Sequence, residues 1–169
     1  MSEEKENEFV KLMELDGVQF VKEPTPQIKN KLLPPTKEEA FLLFEKHFDD
    51  VYNSTQGQNI INELHLCENF NLKYVDEVGY DGICKKTGRK KEIKVSGSRT
   101  QGRAGWTSCG KNKKDSDDFI FWDTITGQFA EVPTEKVQEI QQKGHIKARL
   151  SDNPGGRSKH IRTVSSWFN

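Results

Sequence analysis

The stretch Asp81 to Val95, DGICKKTGRKKEIKV, decides the reading of this chain. Lys86-Thr87-Gly88-Arg89 is a hairpin turn signal, with Gly88 supplying the positive φ that a tight reversal needs. With Thr87 and Gly88 as the two loop residues, the predicted cross-strand pairs are Cys84 with Lys91, Ile83 with Glu92, Gly82 with Ile93, and Asp81 with Lys94. Side chains alternate along a strand and directly opposed residues share a face. Asp81, Glu92 and Lys94 therefore emerge together, while Tyr80, Cys84, Ile93 and Val95 populate the other face, apolar enough to pack on a core. A three-residue loop would break this parity; a four-residue loop keeps it.

Two carboxylates whose oxygens face one another repel, and a divalent cation between them removes that penalty. Magnesium prefers hard oxygen ligands and retains several waters, so one or two carboxylates and a substrate phosphate make a normal site; manganese takes the same kind of donor. Asp81 and Glu92 are candidate ligands, and the main-chain carbonyl of Ile93 is a further oxygen. Lys94 is the ammonium that orients a nucleophile or meets charge building on a phosphate. Without a metal the two carboxylates repel, so Asp81→Ala is expected to leave folding intact or slightly improved while abolishing catalysis. The alternative is a solvated hairpin in which Glu92 and Lys94 belong to an ordinary charged face. An acidic-x-Lys triplet is common in a chain that is 31% charged, and Glu3-Glu4-Lys5 is a second one.

These residues resemble the PD-(D/E)XK, or restriction-endonuclease-like, nuclease superfamily, whose signature is an Asp on one strand and Glu-x-Lys on the next. Asp81 matches the first acidic position and Glu92-Ile93-Lys94 the second part, while Tyr80 stands where a Pro often precedes the Asp. With flanking elements counted, the resemblance covers roughly residues 37 to 140. It implies an α/β fold with a central mixed β-sheet flanked by helices, a restriction-endonuclease-like core, and magnesium-dependent hydrolysis of DNA phosphodiester bonds. In many relatives an acidic residue on the helix before the hairpin adds an oxygen to the metal site, which makes Glu63 a further candidate ligand. An exposed helix Glu is the alternative.

At 169 residues the chain suits one domain with a single substantial core. Hydrophobic content is 33% and mean hydropathy is -0.83, so the core must be economical and the surface heavily polar. The absence of a long apolar run predicts neither a membrane span nor a secretory signal. Cys67, Cys84 and Cys109 form an odd set without CxxC spacing, which fits a reduced cytoplasmic setting better than a disulfide framework. Combined with His65, His145 or His160 they lack zinc-ligand spacing. Net charge is zero, yet residues 1 to 84 carry 8 Lys plus Arg against 17 Asp plus Glu, and residues 85 to 169 carry 18 against 9. The basic half begins at the hairpin with Lys85, Lys86, Arg89, Lys90 and Lys91, as a polyanionic ligand requires. Lys-rich turns also serve solubility.

Residues 1 to 36, acidic at first and then punctuated by Pro24, Pro26, Pro34 and Pro35, read as an N-terminal arm, partly disordered or dimer-contacting, with helical potential near Phe9 to Leu15. Residues 37 to 169 read as a single nuclease-like domain. Thr36 and Glu39 make a capping-box pattern ahead of Ala40, Phe41, Phe44 and Phe48, predicting a helix to about Tyr52. A second helix, from about Gln56 to Glu68, puts Ile60, Ile61, Leu64 and Cys67 on its apolar face, and Leu72 to Val75 reads as a strand. The segment 96 to 114, SGSRTQGRAGWTSCGKNKK, reads as a basic loop able to follow a groove. Arg99, Arg103, Lys111, Lys113 and Lys114 would meet phosphates or guanine edges there, and Gln101 or Trp106 would contact bases. The alternative is a connector with Trp106 tucked into the core. Asp118 to Thr124 and Gln128 to Val132 form a strand pair around Thr126-Gly127, followed by a helix from Pro133-Thr134 to about Lys143. In the tail, Arg149, Arg157, Lys159 and Arg162 are candidate phosphate contacts, and metal chemistry of this kind does not need His160.

The expected function is a magnesium-dependent DNA endonuclease. By analogy with compact members of the resembled superfamily it is a small type II restriction-type homodimer acting on duplex DNA. A structure-specific or phage-type nuclease with the same site is the nearest competitor. A DNA-binding protein that kept the scaffold without cutting would bind duplex regardless of magnesium and of Asp81→Asn, and an unrelated interaction domain would show no salt-dependent affinity for nucleic acid.

Overall fold

The protein is described by a computed structural model over residues 3–15, 20–22, 31–53, 58–77, 79–98, 104–107, 115–140, 145–148, 162–163 and 165–168. The capping box forms as the sequence predicts. Glu39 N donates to Thr36 Oγ1 at 3.2 Å, and Thr36 N donates to Glu39 Oε2 at 2.8 Å. The helix it starts, α2 (Lys37–Lys46), stops earlier than expected, because His47 leaves helical φ while its N–H still bonds Leu43 O. The chain resumes as α3 (Phe48–Asn53), whose first turn carries Asp49 and Asp50, suited to the positive end of a helix. In the N-terminal segment, α1 (Glu3–Leu15) is longer than the Phe9 to Leu15 stretch, and Phe9 and Met13 pack with Ala40, Phe41 and Leu43 of α2. The same cluster takes Ile60, Ile61 and Leu64 from α4 (Gln58–Asn69). Leu32 and residues 34 to 36 are also buried: Trp122 Nε1 donates to Leu32 O at 2.7 Å, and Leu32 N donates to Gly127 O at 2.7 Å.

The central sheet has the order β1 (Leu72–Glu77), β2 (Tyr80–Cys84), β3 (Lys90–Ser96), β5 (Asp118–Asp123), β6 (Phe129–Pro133). β3 and β5 run parallel and the other neighbours antiparallel, so the sheet is mixed. Between β3 and β5 in sequence comes β4 (Ala104–Thr107), which joins β7 (His145–Ala148) and β8 (Arg162–Thr163) in a separate three-stranded sheet. Helices lie on the central sheet as expected, with α5 (Thr134–Ile140) following β6 directly. All six residues of β5 are buried, the signature of a strand covered on both faces.

Register sorts the two faces. On one, Leu72, Ile93, Ile120 and Trp122 pack beneath Leu66 and Cys67 of α4. On the other, Phe119, Phe121, Ala130 and Val132 pack with Ala104 and Trp106 of β4, Val137 of α5 and Phe168 of a 3-10 turn, Ser165–Phe168.

The α4 face also holds a charge network. Lys91 shares it with Ile93 because both are odd-numbered along β3, and Lys91 Nζ lies 2.6 Å from Asp118 Oδ2 and 2.9 Å from Glu131 Oε1. Arg89 grips the same Asp118 through two bonds, Nε to Oδ2 at 2.8 Å and Nη2 to Oδ1 at 2.7 Å. Lys91 and Asp118 side chains are 5% and 6% exposed, so removing one partner strands a buried charge. The Arg89 guanidinium beside it holds the Asp118 carboxyl below the usual carboxylate range, with Lys91 assisting against the opposing effect of burial. A depressed carboxylate contributes stability above its unfolded value and loses it as pH falls through the folded one. Asp118→Ala should therefore cost about 3 kcal/mol in urea unfolding at pH 7, and the gap to the wild type should narrow as pH drops from about 5 towards 3.

Candidate functional site

Asp81 sits where both ladders of β2 are interrupted. Towards β1, Tyr74 pairs with Gly82 and then Glu77 with Tyr80, so Val75 and Asp76 together stand against Asp81 alone. Such a bulge bends a strand and re-aims a side chain. Towards β3, the ladder comprises Ile83 with Lys90 and Gly82 with Lys91. Beyond that point the Asp81 side chain bonds β3: its Oδ2 accepts the Ile93 N–H at 2.7 Å. Both main-chain polar groups of a strand residue point to the same edge, so the Ile93 carbonyl opens on this same gap.

The register differs from the predicted one by two residues. Cys84 N donates to Arg89 O at 2.9 Å and Gly88 N to Cys84 O at 2.8 Å, so the loop is Lys85 to Gly88, with Gly88 at φ 72°. An even shift keeps the parity, and Asp81 falls level with Glu92 instead of Lys94. Glu92 and Lys94 stay on one face as neighbours along β3. Their ion pair measures 2.5 Å from Lys94 Nζ to Glu92 Oε1, with the side chains 25% and 7% exposed. The unrelieved repulsion expected between the carboxylates is thus tempered on the Glu92 side by Lys94 and on the Asp81 side by a main-chain donor.

Behind the gap, α4 approaches β2 closely. A Cβ on Gly82 would meet Cys67 Sγ and Leu72 Cδ1 at 3.3 Å each, so glycine permits the contact. Burial pushes the Cys67 thiol up to about 12, and the charges of Glu63 and Asp81 add to it. Glu63 is itself buried on α4. Among the described residues no three His, Cys, Asp or Glu side chains converge to hold a metal ion. Glu63 is on the α4 side of the sheet and Glu92 projects from the other, so we leave Glu63 out of the ligand set. The donors that remain are the Asp81 and Glu92 carboxylates and the Ile93 carbonyl, all hard oxygens, which leave most positions to water and phosphate and so suit magnesium.

Several expected contacts are corrected. Trp106 does not face a groove: it is 2% exposed, stacked on Phe168 at 5.3 Å and edge-on to Phe121 at 5.4 Å. A four-residue strand claims it for the second sheet, since apolar area of that size is worth most in the core. Lys91 lies in the buried network described above, and Arg89 is bound to Asp118, so neither offers a free charge beside the carboxylates. Alternation in KKEIKVS, which puts Lys91 on the Ile93 and Val95 side, was the available signal. His65 serves packing, with Nε2 bonded to Leu33 O at 2.9 Å, and burial lowers its pKa. Arg99, Gln101, Arg103, Lys111, Lys113, Lys114, Arg149, Arg157, Lys159 and His160 lie outside the described residues, and Arg162 is placed on β8 by its main chain.

The structure is similar to that of a bacterial homing endonuclease, I-Ssp6803I, with a TM-score of 0.44 and 16% identity, covering 63% of this chain and 83% of that one. No protein-family model matches the sequence, and no curated protein does. A likeness at this level carries no argument about activity, which rests below on the side chains alone. Among the described residues no helix is long and apolar enough to cross a membrane.

The Asp81 to Ile93 bond revises one expectation. Asp81→Ala leaves a partly buried N–H without its acceptor, so it should lower stability by about 1 kcal/mol instead of leaving it unchanged. Asp81→Asn keeps an acceptor oxygen and should stay within about 0.5 kcal/mol of wild type. Urea unfolding of the two variants checks this.

Proposed function

We propose that the protein is a divalent-metal-dependent endonuclease that hydrolyses phosphodiester bonds of double-stranded DNA, a small type II restriction-type enzyme working as a homodimer. The observation that carries the reading is the gap where the Asp81 carboxylate bonds Ile93 N–H, level with a Glu92 already paired to Lys94. It has the Asp, Glu-x-Lys composition of the PD-(D/E)XK superfamily, at the edge where two strands part. A core sheet needs neither a carboxylate in place of a ladder bond nor an acidic side chain that is almost fully buried.

Asp81, Glu92 and the Ile93 carbonyl would hold magnesium, or manganese in its stead. A bound divalent ion lowers the pKa of its water and neutralises charge on the phosphate. The chain's own contribution is positional. β3 is fixed on one side by its parallel ladder to the buried β5, so Glu92, Ile93 and Lys94 present their groups at a set spacing. Lys94, a quarter exposed, keeps an ammonium at the mouth of the gap. There it can orient an attacking water towards phosphorus and donate to a phosphoryl oxygen as negative charge grows. The neighbouring low-dielectric core strengthens that interaction relative to one in open water. A two-fold dimer would bring one such site to each strand of a duplex.

Supercoiled plasmid and mixed-sequence linear DNA, incubated with magnesium or with EDTA, test the reading. The wild type should give discrete magnesium-dependent fragments, and both Lys94→Ala and Asp81→Asn should lose at least about 100-fold in rate. Cleavage that survives EDTA or either substitution would contradict it. Duplex binding without any cutting would favour a DNA-binding protein on a nuclease-like scaffold.

A further inference from the structure

We propose that Lys73, Ile83 and Lys90, with Lys85 and Lys86 of the turn, form a backbone track for the DNA strand entering the Asp81, Glu92 and Lys94 gap, holding phosphates that flank the one to be cleaved. This rests on the proposed substrate and adds a direction, from the gap towards the hairpin turn. The register carries it. Lys73 pairs with Ile83 and Ile83 with Lys90, so the three side chains form one row across β1, β2 and β3. Alternation along β3 puts Lys90, Glu92 and Lys94 on a common face, and two residues of strand separate the row from the carboxylates by about 6.6 Å. Each DNA strand presents a phosphate per about 3.4 Å of axis, so the row falls within one or two nucleotides of the gap.

The charges in this row are available. Lys73, Lys85 and Lys86 are exposed, and Ile83 and Lys90 half-buried. Several cations elsewhere are paired, Lys37 with Glu14, Lys46 with Glu68, Arg89 and Lys91 with Asp118, and Lys94 with Glu92, and what sets the row apart is its place beside the gap. Among the described residues none of Lys73, Lys85, Lys86 and Lys90 is in an ion pair. Two of the acids nearby are engaged otherwise. Asp117 accepts the main-chain N–H of Lys90 at 2.8 Å, and Glu68, whose charge reaches Lys85, is held by Lys46. The Lys90 ammonium lies 4.7 Å from the Tyr80 ring centroid, which orders the side chain and leaves donors for a phosphate. Ile83 between two lysines offers an apolar floor to a sugar. Four mutually repelling cations at one end of a sheet are relieved by a polyanion, which releases its own counterions on binding.

The test is duplex affinity, by fluorescence anisotropy of a labelled 20-base-pair DNA in EDTA, as a function of salt. Removing two phosphate contacts should reduce the slope of log K against log salt by about 1.8. Lys73→Ala/Lys90→Ala should show this fall with weaker binding. Lys5→Ala/Lys11→Ala, which removes the same charge from exposed positions on α1, should keep the wild-type slope. An unchanged slope in the first variant, or an equal fall in the second, overturns the track. Salt-dependent binding that follows this pattern in a protein that cuts no DNA would uphold the track and sink the catalytic reading. A wild type with no salt-dependent affinity would overturn both.

Discussion

A β-strand cannot part from its neighbour without orphaning main-chain groups, and the Asp81 carboxylate meets that constraint at Ile93. The remaining features of the site depend on this substitution of a side-chain acceptor for a strand. It lets β2 diverge from β3 on the Asp81 side of Gly82 without leaving a bare donor. It also leaves the Ile93 carbonyl on the edge where Asp81 falls level with Glu92. The bulge at Val75 and Asp76 of β1, opposite Asp81, interrupts that ladder, and the close contact of Cys67 with Gly82 holds β2 against α4 on the other side. β3 is free to serve as the fixed wall because its other edge is zipped to the fully buried β5.

The sheet divides its charged residues by face. On the α4 side, Lys91, Asp118, Glu131 and Arg89 are matched to one another, and their burial is tolerable because every charge has a counterpart. On the opposite face Glu92 is paired with Lys94 beside the gap, and towards the turn Lys73, Lys85, Lys86 and Lys90 lie outside any ion pair among the described residues. The proposed track draws on that second set, which a polyanion would neutralise. That contrast weighs more than the number of basic residues in the second half of the chain.

Alternation made much of this legible in the sequence. The capping box at Thr36, the two helices, the hairpin, and the β5 and β6 pair all follow from local periodicity, which acts over a few residues and leaves a clear mark. The common face of Glu92 and Lys94 survived an error in register because the loop lengthened by an even number of residues. What local pattern could not supply was the identity of the long-range partner. Lys91 reads locally as a site cation, but Asp118 and Glu131, 27 and 40 residues further on, claim it. Trp106 reads as a groove residue because its Gly- and Lys-rich neighbours hide a four-residue strand that pairs with a segment near residue 146. Glu63 lies close enough to influence the same thiol as Asp81, yet a sheet stands between it and Glu92, which only the stacking of layers reveals.

The central claim is that the gap beside Ile93 is a cation site made by Asp81 and Glu92. Anomalous diffraction from crystals grown with manganese tests it most directly. The account predicts a peak between the two carboxylates and the Ile93 carbonyl that vanishes in Asp81→Asn. Saturating manganese with no peak in the gap, or one that persists unchanged in Asp81→Asn, would contradict it.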